Sequence, residues 1–284
     1  MSTPDDEQNG LDGLAEGPEG DQPMSFWDHL GELRGALMKS ALAVVAGFII
    51  CFIYAAEIRD FLAMPLHTAW AEAGLKGEPE LQVLAMMDAF ITDVRVSVAG
   101  GIFFATPVIF YQLWMFISPG LYRKEKRFAI PFVTASVVMF LLGASFCYLL
   151  VLPWTIQWLF GYTQSSAAAG TPVIYNLTLN DYIRDTTKIL VAFGSVFEFP
   201  LLAAFLSAAG VIDHMTLLRF WKVAVVIMFV IAAFLTPPEP VSQMMMAIPM
   251  IVLFFLSVGI AYVLSAPHRK ARDAAIARID ESDE

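Results

Sequence analysis

The chain has 284 residues, 58% of them hydrophobic and only 15% charged, where an ordinary soluble domain carries about 25% charged residues. That balance excludes a soluble enzyme and puts most of the chain in lipid, which admits only helices or closed barrels. No alternating strand pattern is present, so the chain reads as an all-α integral membrane protein and each helix needs about 20 apolar residues to cross.

The net charge of -10 is concentrated in residues 1–23, which hold Asp5, Asp6, Glu7, Asp12, Glu16, Glu19 and Asp21 and no Lys or Arg. With their Gly, Pro and Gln these residues read as a disordered acidic tail, not as a basic-then-apolar secretory signal or an Arg-rich transit peptide. Residues 24–264 then form one transmembrane domain of six apolar spans: 37–56, 96–118, 128–152, 183–209, 221–235 and 243–264. The fifth span is only about 22 Å long at 1.5 Å per residue, short for a core of about 30 Å, so it calls for local thinning or cover by other helices. Residues 265–284 read as a C-terminal tail.

No charge occurs from Phe128 to Asn180. This is too long for one crossing, and Pro153, Gly161, Pro172 and the small residues 165–170 make its second half, 153–182, read as an exposed loop. Apolar stretches within the two longer outer loops, Phe61–Leu66 and Leu81–Met87, read as short interfacial helices.

Orientation follows from positive charge. With the N-terminus inside, twelve cations fall on the cytoplasmic side and five (Arg59, Lys76, Arg95, Arg184, Lys188) outside, so both termini are expected in the cytoplasm. Trp27 and Trp114 then lie at inner ends and Trp70, Trp154 and Trp158 near outer loops, as an interfacial aromatic belt would place them. Cys51 and Cys147 fall inside apolar spans, where a thiol behaves as a small hydrophobe.

Four segments carry more than packing demands. In S-F-W-D-H-L-G-E-L-R (25–34) a capping-box pattern at Ser25 and Asp28 starts a helix, with Phe26, Leu30, Leu33 and Leu37 on one face and Asp28 and Glu32 on another. An amphipathic lead-in with solvated acids explains as much. In residues 110–127 a Ser118-Pro119-Gly120 turn leads into Arg123, Lys124, Lys126 and Arg127 with Glu125 embedded among them, which is also what a positive-inside anchor looks like. Glu198, in F-G-S-V-F-E-F-P (193–200), sits at bilayer depth and must face protein or water; Pro200 should kink the helix, and Gly194 should allow a close approach. Finally, L-T-P-P-E-P-V-S-Q (235–243) is a stiff turn that sets Thr236, Glu239 and Gln243 beside two helix ends, where a partner helix could hydrogen-bond.

The sequence holds no phosphate-binding G-x-x-x-x-G-K-[ST] loop and no H-E-x-x-H pair. Neither a catalytic site, a cofactor or metal, nor a nucleic-acid partner is expected. A transporter using Glu198 as its ion site would usually repeat the broken helix, and no second copy of the Glu198-Pro200 arrangement exists.

Together, H-L-G-E-L-R (29–34), P-V-I-F-Y-Q-L-W-M-F-I-S-P-G-L-Y with its charged continuation (107–127), F-G-S-V-F-E-F-P (193–200) and T-P-P-E-P-V-S-Q with A-I-P (236–249) resemble the TatC family, in family order. The resemblance implies a glove-shaped bundle of six transmembrane helices in the prokaryotic cytoplasmic (inner) membrane. It implies a receptor that binds twin-arginine signal peptides of folded cargo through Glu32 and Glu125, in a translocase driven by the protonmotive force. It also implies that Glu198 faces an intramembrane polar cavity and that TatA-like and TatB-like single-span proteins dock near Thr236, Gln243 and Glu239. Self-association in a larger complex is implied as well. Two departures stand out: Gly35-Ala36 replaces a further base common in the family, and Glu239 stands where Asp is commoner.

Overall fold

The computed structural model describes residues 26–117, 129–168, 176–208, 214–235 and 240–280. Most of these residues are helical, and they contain no strand beyond one isolated bridge between Gln82 and Thr178. Among the described residues five helices are long and apolar enough to cross a membrane, and Trp221–Leu235 is a shorter apolar one.

Helix α1 (Phe26–Ile53) runs without interruption into the first apolar span, and Ser25, the expected cap, lies outside the described residues. After Tyr54, α2 (Ala55–Glu72) turns away with Pro65 inside it. Its end is fixed by Gly74 and Gly77, both at positive φ (67° and 79°), conformations costly for residues with a Cβ. The Trp70 indole donates to the Gly77 carbonyl oxygen across this turn (3.0 Å).

Helix α3 (Asp88–Ile117) is the central strut. Helix α1 packs on it through glycines: a Cβ at Gly101 would lie 2.8 Å from the Phe48 nitrogen and 2.9 Å from the Val44 carbonyl oxygen. Backbones that close are the usual device of helix pairing in lipid, where burial alone gives no drive to associate. The opposite face of α1 is bare, with Leu42 70% and Ile53 71% exposed.

The third span differs most from expectation. Helix α4 (Ala129–Phe146) does not end near Leu152 but passes through a π turn (Cys147–Val151) into α5 (Leu152–Ala168). Residues 153–168, expected as loop, are helical. The Leu152 N–H bonds to the Cys147 carbonyl oxygen, five residues back, and this wider turn gives the Pro153 ring room that a regular α turn would deny it. The Phe61–Leu66 stretch is helical but belongs to α2, with Leu62, Ala63 and Leu66 buried. Leu81–Met87 is not a helix, because its backbone pairs elsewhere: Gln82 donates to Leu177 (2.8 Å) and accepts from Leu179 (2.9 Å).

Helix α6 (Leu179–Val196) is capped by Thr178, whose hydroxyl accepts from the Asp181 N–H, and α7 (Phe199–Ala208) follows after a break. Short α8 (His214–Arg219), α9 (Trp221–Leu235) and long α10 (Pro240–Asp280) complete the chain. The last helix therefore runs on through most of the segment expected as a tail. One apolar core, including Val96, Cys147, Ile183, Phe193, Ala232 and Met246, joins α3, the π turn, α6, α9 and α10. A second, around Leu66, Ala69 and Phe160, joins α2 to α5.

Candidate functional site

The break between α6 and α7 places Glu198. Pro200 has no N–H to return to Val196, so the regular ladder stops: the Glu198 N–H bonds Ser195 (3.2 Å) and the ladder resumes with Leu202 donating to Glu198 (2.9 Å). The side chain is held 7% exposed, and its Oε1 has no hydrogen-bond partner among the described residues. Ser136 of α4 is the hydroxyl facing this carboxyl. Ser136 Oγ in turn accepts from the Trp114 indole of α3 at 2.9 Å. Phe132 and Phe205 close over the indole, with ring centroids 5.0 and 4.7 Å away. Three elements thus meet at one buried polar chain, Trp114–Ser136–Glu198.

Two corrections follow. Trp114 is not a belt residue at the lipid interface; it is 3% exposed and hydrogen-bonded inside the bundle. Sequence reading also missed Ser136, since a lone serine in an apolar span usually bonds its own helix backbone. The expectation for Gly194 is met by Phe140, whose ring a Cβ there would approach to 2.6 Å.

Glu32 lies elsewhere, near the start of α1. Its side chain is 45% exposed, with Oε2 3.9 Å from His29 Nδ1. The His29 ring stacks on Phe116 at 4.3 Å and 16°, which fastens the start of α1 to the end of α3. Helix α3 leads directly into residues 118–128. Glu125 lies there, outside the described residues, as do Thr236 and Glu239. Gln243 is described: it is half-buried and donates its side-chain amide to the Phe229 carbonyl oxygen of α9 at 2.9 Å. That donor is therefore engaged within the chain.

Residues 28–249 match the family described as Sec-independent protein translocase protein (TatC). The Sec-independent protein translocase protein TatC of Desulforapulum autotrophicum is 39% identical over 233 residues, 82% of each chain. That of Campylobacter jejuni is 38% identical over 246 residues, 86% of this chain and 97% of the relative. A crystal structure described as the twin arginine translocase receptor TatC superposes with a TM-score of 0.73 at 37% identity, covering 84% of this chain and 99% of the other. Matched across most of its length in sequence and in fold, this multi-pass helical membrane protein belongs to the TatC family.

Proposed function

We propose that the chain is the receptor and core subunit of a translocase that exports folded proteins carrying twin-arginine signal peptides, driven by the protonmotive force. It is a transport component and not an enzyme. In this reading it crosses the prokaryotic cytoplasmic (inner) membrane six times as a glove-shaped bundle, with both termini in the cytoplasm. The observation that carries the receptor role is the exposed Glu32 carboxylate, fastened through His29 and Phe116 to the helix that leads to Glu125. Two separated carboxylates can each take one guanidinium through paired charge-assisted hydrogen bonds, about 1.5–3 kcal/mol apiece. Lysine lacks the planar fork and should bind less well.

TatA-like and TatB-like single-span proteins are the partners in this proposal. They dock near Thr236, Gln243 and Glu239, with Glu198 in a polar cavity and further copies of the chain assembled alongside. Photocrosslinkers beside Glu32 and Glu125, in membranes given a twin-arginine or a twin-lysine signal peptide, test the receptor role. Each of Glu32→Ala and Glu125→Ala should weaken peptide binding about ten-fold or more, the loss of about 1.4 kcal/mol or more, with the protein still inserted. Equal labelling by both peptides, undiminished in the double variant, removes the assignment.

A further inference from the structure

Among the described residues, Arg95 and Lys188 differ from the arginines near them in having no ion-paired acid. Arg59 pairs with Asp93 at 2.6 Å, and Arg184 with Asp181 and Asp185 at 2.9 Å each. Among the described residues neither Arg95 nor Lys188 has a carboxylate within ion-pair distance. Arg95 donates to Asn180 Oδ1 (2.5 Å) and Lys188 to the Phe234 carbonyl oxygen. Both acceptors are neutral, so among the described residues they satisfy donors without compensating the two charges, an expensive arrangement at the edge of lipid.

Both side chains border the same cleft of about 380 Å³, Arg95 from α3 and Lys188 from α6, and the rest of its lining is mainly aliphatic, with Val94, Val98, Ile102 and Val191. The depth of the cleft is informative. At 1.5 Å per residue α3 is about 45 Å long, so when centred it projects roughly 7 Å beyond each side of a core of about 30 Å. Arg95 lies about 10 Å from the Asp88 end on the same rise per residue, just beneath the headgroup boundary. A long cationic side chain there reaches the phosphate plane while its stem stays among apolar groups.

We infer that this cleft binds an anionic phospholipid, with the phosphate between Arg95 and Lys188 and one acyl chain lying along Val94, Val98, Ile102 and Val191. Basic pockets between transmembrane helices recognise lipid headgroups in this way. A carboxylate from a neighbouring transmembrane helix would answer the charge too, but it would leave the aliphatic floor of the cleft unexplained by the same ligand.

Native mass spectrometry of the full chain in detergent, titrated with phosphatidylglycerol or with phosphatidylcholine of the same acyl chains, tests the inference. One phosphatidylglycerol should be retained per chain, at least five-fold more readily than phosphatidylcholine. The R95Q/K188Q variant should lower its retention about ten-fold, and K39Q, at the other end of the bundle, should leave it unchanged. Equal retention of the two lipids, or a double variant that binds like the parent, overturns the site. If the double variant does not accumulate, R95Q and K188Q are compared singly with R95K and K188R: loss in the glutamine variants alone supports the site, and equal behaviour of the two sets overturns it. The assay contains no signal peptide, so this inference and the receptor reading fail separately.

Discussion

An acid at bilayer depth costs about 2.5–3.5 kcal/mol on insertion scales, and the polar group facing Glu198 is Ser136, whose hydroxyl accepts from the Trp114 indole. If these three groups form one network, their removal is not additive. Ser136→Ala orphans the Trp114 indole and should cost about 1–3 kcal/mol. Trp114→Phe should also destabilise, and the double variant should lose less than the two singles together. Denaturant unfolding of the purified protein checks this, and strict additivity would refute the network. Glu198 was legible in the sequence because an acid stands out among apolar residues. Ser136 and the burial of Trp114 were not, because both depend on Phe205 and the α6–α7 break, which are far from either residue in sequence. For the protein's activity, Glu198→Ala is expected to leave insertion intact and to impair partner assembly; unchanged partner crosslinking and export would contradict that role.

At the level of elements, prolines misled in one place and informed in another. Pro200 marks a true interruption, whereas Pro153 is absorbed by the π turn and the helix continues. The sequence offers no local cue for that difference, since the widened turn is held by packing of Cys147 and Val151 in the shared core. Gly194 was legible beside Glu198, but Gly47 and Gly101, which decide the α1–α3 pair, were silent in a single sequence. Gly101→Leu would drive a side chain into the Phe48 backbone, which cannot move aside as a flexible side chain would. A loss of about 1–3 kcal/mol is the usual scale of overpacking, and a backbone clash belongs at its upper end. Thermal unfolding in detergent should show a lowered midpoint for Gly101→Leu and little change for Gly259→Leu, where no atom lies within 4 Å of an added Cβ. Equal effects of the two substitutions would mean that the close approach does not hold α1.

For the whole molecule, the helical run through 129–168 is the decisive dimension. At 1.5 Å per residue it spans about 60 Å, twice the apolar thickness of a bilayer, so α5 must stand outside the membrane. There it packs on α2 through Phe160, Leu66 and Ala69, and the Tyr148 and Tyr182 hydroxyls donate to Phe61 (2.7 Å) and Leu62 (2.9 Å) on the same helix. The long apolar helices were readable from composition, and the helical Phe61–Leu66 stretch of this cap was expected too, but α5 was not, because it is partly polar and is stabilised by packing on α2. If the positive-charge bias sets orientation as proposed, the cap faces away from the cytoplasm and the start of α1 faces into it. Single cysteines test this in a background with Cys51 and Cys147 replaced by alanine. Ser165→Cys, exposed near the end of α5, should react with a membrane-impermeant maleimide in spheroplasts. His29→Cys should react only after permeabilisation. The reverse pattern would invert the protein in the membrane and place Glu32 on the wrong side to meet a signal peptide emerging from the cytoplasm. Labelling of both sites before permeabilisation would require an even number of crossings between them in place of three, and the short helix α9 could not be blamed, because it lies after both residues in the chain.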